Sequence, residues 1–171
     1  MQYLSHSPEE TQQFARELAI KLTQEDNESS FAKASPFVKT SEDKSEGKAL
    51  VIALEGELGA GKTTFTQAFA EALGVQEHLK SPTFVLMKHY RIKPTTNNQQ
   101  LTTLYHLDCY RLRDYKDLEP LGIENILNNP ENIILIEWAE RVADILPKNH
   151  WVVHIDHVAE QERNITIKKK N

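Results

Sequence analysis

Eight consecutive residues, Gly56-Glu57-Leu58-Gly59-Ala60-Gly61-Lys62-Thr63, constrain the fold of this chain more than any other feature. They match the spacing of a phosphate-binding loop, in which glycines open the way for backbone N–H groups to reach a phosphate chain. Lys62 supplies a positive charge for the β- and γ-phosphates, and the Thr63 hydroxyl is a ligand type that suits Mg²⁺. A match of this kind arises by chance in on the order of one chain in a hundred. The flanks strengthen it. Ala49–Leu54 is an unbroken apolar run, as expected of a strand covered on both faces. After the loop, Phe65, Ala68, Phe69, Ala72 and Leu73 keep helical spacing, and Gly74 ends the helix. The order strand, glycine loop, helix predicts an α/β fold of the P-loop type. We expect three layers, α/β/α, around a mostly parallel central sheet with antiparallel additions.

Mg²⁺ at such a loop needs a carboxylate from a neighbouring strand end. Two are available. Glu137 closes the apolar strand Ile133–Ile136, in the manner of a Walker B carboxylate, and Asp108 closes Leu104–Leu107. His106 shares a strand face with Asp108 and reads as a packed, hydrogen-bonded histidine. Elsewhere, Ser7 can cap a helix that starts at Pro8, with Glu10 completing a capping box and Phe14, Leu18 and Leu22 forming its apolar face. Thr83–Ile92 reads as a strand, Pro94–Asn98 as a turn and Leu101–Leu107 as the returning strand. Asp114–Leu127 reads as one or two short helices broken near Pro120 and Gly122. Ala139–Leu146 is expected to be helical, and Trp151–Val158 with Asn164–Lys168 a closing hairpin.

The 171 residues suit a single domain, 1–171, with residues 24–48 as a polar surface insertion expected to be mobile. A net charge of −5 argues against a chain that grips nucleic acid unaided, because that requires clustered Lys and Arg. The one cysteine, Cys109, excludes an internal disulfide and reads as structural. Without a secretory pattern at the start or an apolar run of about 20 residues, a cytoplasmic protein with no membrane association is expected. The sequence has no Asn-Lys-x-Asp to read guanine and no Leu-Ser-Gly-Gly-Gln of transporter ATPases. On residues alone, a small-molecule kinase and a non-catalytic nucleotide-sensing adaptor remain as rivals of an ATP hydrolase.

Five segments in order resemble the bacterial TsaE family, also called YjeE. They are Gly-Glu-Leu-Gly-Ala-Gly-Lys-Thr-Thr at 56–64, Ser-Pro-Thr-Phe at 81–84, His-Leu-Asp-Cys-Tyr-Arg-Leu at 106–112, Leu-Gly-Ile-Glu at 121–124 and Ile-Glu-Trp at 136–138. The resemblance covers Ser7 to about Arg163, apart from 24–48, which is longer than expected of that family. It implies an ATPase that supports threonylcarbamoylation of the adenosine next to the anticodon in tRNAs reading A-starting codons. The implied partners are TsaB and TsaD, with tRNA engaged indirectly through their complex. The implied cofactors are ATP and Mg²⁺. Residue by residue, the loop from Gly56 to Thr64 and Lys62 hold the phosphates, and Thr63 and Glu137 bind Mg²⁺. Asp108 corresponds to the family's essential aspartate, beside the γ-phosphate. Catalytic roles thus fall to Asp108, Lys62 and Glu137. Ser7 and Trp138 are expected beside the nucleotide, and Ser81-Pro82-Thr83 as a segment that senses the γ-phosphate. Tyr110 and Arg111 serve either the site or the partner surface. No arginine is placed as a finger, so weak activity alone and activation by partners are expected.

Overall fold

The computed structural model describes residues 1–24, 48–82, 84–93 and 101–170. Within them the elements run β1 (Gln2–Ser5), α1 (Pro8–Gln24), β2 (Leu50–Glu55), α2 (Lys62–Ala72), β3 (Met87–Arg91), β4 (Thr103–Asp108), α3 (Ile123–Leu127), β5 (Asn132–Glu137), β6 (Trp151–His157) and β7 (Arg163–Lys169). Two 3₁₀ segments, Tyr115–Leu121 and Ala139–Ile145, precede α3 and follow β5. The seven strands form one sheet in the order β1-β7-β6-β2-β5-β4-β3. Its centre is parallel: β2 pairs with both β5 and β6, and β4 pairs with β5. The outer pairings, β3 with β4, β7 with β6 and β1 with β7, are antiparallel.

Parallel strands need crossovers that cover both sheet faces, and the two apolar clusters show how this happens. One face carries α1 and α2, with Phe14, Leu18, Phe65 and Phe69 packed against Ile52, Leu54, Ile133 and Leu135. The other carries the 3₁₀ segments and α3, with Leu118, Ile123 and Val142 against Val51, Ala53, Ile134 and Ile136. Every residue of β5 is buried, which is why its run reads as continuously apolar. Phe65 and Phe69 are completely buried. Each contributes about 1.5–3 kcal/mol by the usual scale for large apolar side chains, enough to hold the start of α2 at a fixed height above the strand ends.

Ser7 caps α1 as expected: its hydroxyl accepts from Glu10 N at 3.2 Å. Glu10 reaches back one residue further than a standard capping box, accepting from His6 N at 2.8 Å. The expected strand Thr83–Ile92 is shorter, starting at Met87. Residues 84–86 turn instead, with Val85 N and Leu86 N both donating to Pro82 O at 2.8 and 2.7 Å, and Leu86 at φ +63°. That turn uses the amide groups that a continuing strand would have needed for its ladder. Strand β1, absent from the sequence reading, pairs antiparallel with β7. The expected insertion 24–48, except for its end residues, and the expected turn Pro94–Asn98 lie outside the described residues, as does Thr83.

Candidate nucleotide-binding site

The loop between β2 and α2 is shaped by two glycines above all. Gly56 has φ +130°, and a Cβ there would stand 2.2 Å from the Ile155 carbonyl oxygen of β6. Only a residue without a side chain lets β2 leave the sheet so close to its neighbour. Gly61, at φ +103°, is the N-cap of α2 and has no side chain to cap it. The amides of the first helical turn are thus left for an anion, where the helix dipole also favours negative charge. Arg163 braces the loop from outside. Its Nε donates to Ala60 O at 3.0 Å and its Nη2 to Gly59 O at 3.5 Å, while Nη1 donates to Ala159 O and Glu162 O. Ser5 is the register partner of Arg163, so the segment entering α1 at Ser7 borders the same flank.

Lys62 is buried, and its Nζ donates to Gly56 O at 2.7 Å and Glu57 O at 2.8 Å. It also lies 3.8 Å from the centre of the Trp138 ring. Burial pushes the pKa of the Lys62 ammonium below its ordinary value, against the opposing pull of Glu137, Glu140 and Asp108. Trp138 adopts a left-handed conformation, φ +61°, immediately after β5. Its amide donates to Leu54 O at 3.0 Å, which ties the end of β5 to β2 beside the loop. Tyr110 packs against the Trp138 ring at 5.0 Å, and Arg111 lies over Phe84 at 4.7 Å. Leu58 and Phe84 are exposed.

Asp108 and Glu137 are register partners on adjacent parallel strands. Both are buried. A buried carboxylate is costly unless it is hydrogen-bonded or meets a cation, and each has specific partners. Glu137 Oε2 accepts from Thr63 Oγ1 at 2.9 Å, and Oε1 lies 2.8 Å from His106 Nε2. Asp108 Oδ2 accepts from Ser81 Oγ at 2.6 Å, and Oδ1 accepts from Tyr110 N at 3.0 Å. His106 is fully buried, and its Nδ1 has no hydrogen-bond partner among the described residues. Such a group costs about 1–3 kcal/mol.

The structure thus gathers Gly56–Thr64, Lys62, Thr63, Glu137, Asp108 and Trp138 at one edge of the sheet, with Ser81 joined to Asp108. Thr64 is half-buried on the first turn of α2. Ser7 lies on the loop's flank with its hydroxyl engaged in the helix cap. Cys109 is buried and its thiol is pushed up to about 12, chiefly by burial, in keeping with a structural role. Sequence reasoning missed Arg163 as a brace of the loop and the His106–Glu137 contact. An arginine over a hundred residues downstream of the loop carries no local signal, whereas His106 gave one by sharing a strand face with Asp108.

The donor set fits Mg–ATP. A threonine hydroxyl and a strand-end carboxylate are hard oxygen donors, and Mg²⁺ usually takes one or two protein oxygens plus phosphate and water. The open helix terminus and the glycine-lined approach suit a phosphate chain.

A parallel sheet with this loop at its carboxyl edge, and a strand-end carboxylate on the loop's threonine, has the architecture of the P-loop NTPases. Comparison with known proteins narrows the class. Residues 5–165 match the model of the family described as Threonylcarbamoyl adenosine biosynthesis protein TsaE, and the chain belongs to that family. Among its relatives is the tRNA threonylcarbamoyladenosine biosynthesis protein TsaE of Bacillus subtilis. The two are 40% identical over 116 residues, 68% of this chain and 67% of that protein. The Haemophilus influenzae protein of the same name is 40% identical over 120 residues, 70% of each chain. The crystal structure of Bacillus subtilus YdiB is similar with a TM-score of 0.64 at 28% identity, covering 100% of this chain and 86% of that one. Among the described residues no helix is long and apolar enough to cross a membrane.

Proposed function

We propose that this chain is the ATP-hydrolysing subunit of tRNA threonylcarbamoyladenosine biosynthesis. It acts with TsaB- and TsaD-type proteins on the adenosine next to the anticodon in tRNAs that read A-starting codons. Family membership supports the pathway. The observation that carries the hydrolytic part is the pairing of Asp108 with Glu137 at neighbouring strand ends, Glu137 being bonded to the loop's Thr63.

The loop amides and Lys62 would hold the β- and γ-phosphates of ATP, with Lys62 exchanging its bonds to Gly56 O and Glu57 O for phosphate oxygens. Thr63 and Glu137 would hold Mg²⁺, which when bound offsets charge on the phosphates during phosphoryl transfer. Asp108 accepts the Ser81 hydroxyl and a backbone amide, so its carboxylate is fixed in orientation. That suits a group that orients the attacking water or a metal-bound water. Ser81, one residue before Pro82 and the turn at 84–86, would carry the state of the site to the exposed Phe84. Such a link between site and surface is what activation by a partner requires. With a net charge of −5, tRNA is held chiefly by the partners.

Reconstitution tests this reading. The chain, added to TsaB- and TsaD-type proteins with tRNA and threonylcarbamoyl-adenylate, should support repeated rounds of modification with ATP but not with a non-hydrolysable analogue. Equal turnover with the analogue would reduce the chain to a nucleotide-sensing adaptor. Phosphate moved to a metabolite instead of water would favour a small-molecule kinase.

A further inference from the structure

We infer that His106 is a positioning residue for the metal-binding carboxylate, holding Glu137 so that one oxygen stays aimed at Thr63. The inference rests on the Mg–ATP reading of the site. Glu137 Oε1 lies 2.8 Å from His106 Nε2, and Oε2 accepts from Thr63 Oγ1 at 2.9 Å. A carboxylate only accepts, so Nε2 carries the proton and donates. The two bonds divide the carboxylate. His106 takes the oxygen deeper in the sheet, and the other is left toward the first turn of α2.

Three features distinguish this from ordinary packing. His106 is fully buried, and its Nδ1 has no partner among the described residues. An apolar residue there would leave no orphaned nitrogen, so stability alone does not account for the imidazole. His106 also lies opposite Leu135 in the β4–β5 register, two positions before the Asp108–Glu137 pair. Its ring therefore reaches along the sheet face to Glu137, and β4 holds the ring from a rigid parallel strand. Groups that orient a metal-binding carboxylate in this way typically alter metal affinity by about 10- to 100-fold when removed.

The test compares His106→Gln, His106→Asn and His106→Leu in the full chain. Calorimetry measures binding of a non-hydrolysable ATP analogue with and without Mg²⁺. The Gln amide nitrogen reaches the position of Nε2, the Asn amide does not, and Leu removes both nitrogens. Binding without Mg²⁺ should stay close to wild type in all three. The gain in affinity on adding Mg²⁺ should fall by about tenfold or more in Asn and Leu, and be restored in Gln to within about threefold. Thermal melting identifies any variant that fails to fold, and the Gln–Asn comparison stands if Leu does. A wild-type Mg²⁺ gain in His106→Asn would overturn the inference while leaving the nucleotide site intact. A wild-type chain that binds no nucleotide would overturn the Mg–ATP reading itself, and this inference with it.

Discussion

The Thr63 hydroxyl donates to Glu137 Oε2 across 2.9 Å, joining the first turn of α2 to the end of β5. The two residues are 74 positions apart in the chain. Strand β5 is parallel and hydrogen-bonded to β2, the strand that leads into the loop, so its end arrives beside the loop. The meeting of Thr63 and Glu137 follows from sheet order.

Glu137→Ala should therefore leave the fold in place and raise the Mg²⁺ concentration needed for half-maximal nucleotide binding by on the order of tenfold or more. Titration of Mg²⁺ at fixed nucleotide, followed by calorimetry, reads this directly. An unchanged Mg²⁺ requirement would remove Glu137 from the metal site.

Asp108→Asn keeps the shape of the side chain but removes its charge. Nucleotide binding should persist, while hydrolysis in the presence of partners should drop by on the order of 100-fold, the usual scale for a group that orients or deprotonates water. Single-turnover phosphate release separates the two effects. Loss of binding with an unaltered rate for the bound fraction would mean that Asp108 is structural.

The loop glycines should differ in what an added methyl does. Gly56→Ala meets the Ile155 carbonyl at 2.2 Å, so either β2 or β6 must move. Gly59→Ala meets nothing within 4 Å and carries only the strain of φ +78°, about 1–2 kcal/mol. Thermal unfolding should show a clearly larger loss for Gly56→Ala, and nucleotide affinity should fall further in it as well. Equal losses would show that backbone strain, not the close approach to β6, governs the loop.

How much of this could be read from the sequence depended on whether a signal was local. The loop, β2 and β5 were legible because glycine spacing and unbroken apolar runs are local patterns, and the cap at Ser7 was legible for the same reason. Strand β1 was not: four residues at the sheet edge, with only Ser5 fully buried, show no alternation to detect. The beginning of β3 was misplaced because residues 84–86 are apolar enough for a strand, while their amides turn back to Pro82 O. Of the candidate site, the two carboxylates could be picked out one by one, since a charge that closes an apolar run stands out. Their pairing through Thr63, His106 and Ser81 depends on which strands are neighbours, and sequence spacing does not carry that.

A half-exposed histidine on β6 makes a pH-dependent contact. His154 Nε2 is 2.9 Å from Asp156 Oδ1, and Nδ1 is 3.3 Å from Glu55 Oε2. Partial burial pulls its pKa down, but the two carboxylates outweigh this and raise it above the ordinary value of 6.5. A raised folded-state value means that the charged contacts stabilise fully below about pH 6.5, and that this contribution is lost as pH rises through the raised value. His154→Asn should accordingly lower the melting temperature at about pH 5.5 and do so much less at about pH 9. A gap that does not depend on pH would contradict the charged pairing.

Hydrolysis of ATP by the loop on β2, as part of the modification assembly, is the step on which the proposed function depends. Phosphate release from Mg–ATP measures it most directly, for the wild-type chain and Lys62→Ala, each alone and with TsaB- and TsaD-type partners. Slow release is expected from the wild-type chain alone, with marked stimulation by the partners and no release above background from Lys62→Ala in either setting. Release that partners do not alter would contradict partner activation, and release that survives in Lys62→Ala would contradict the site itself.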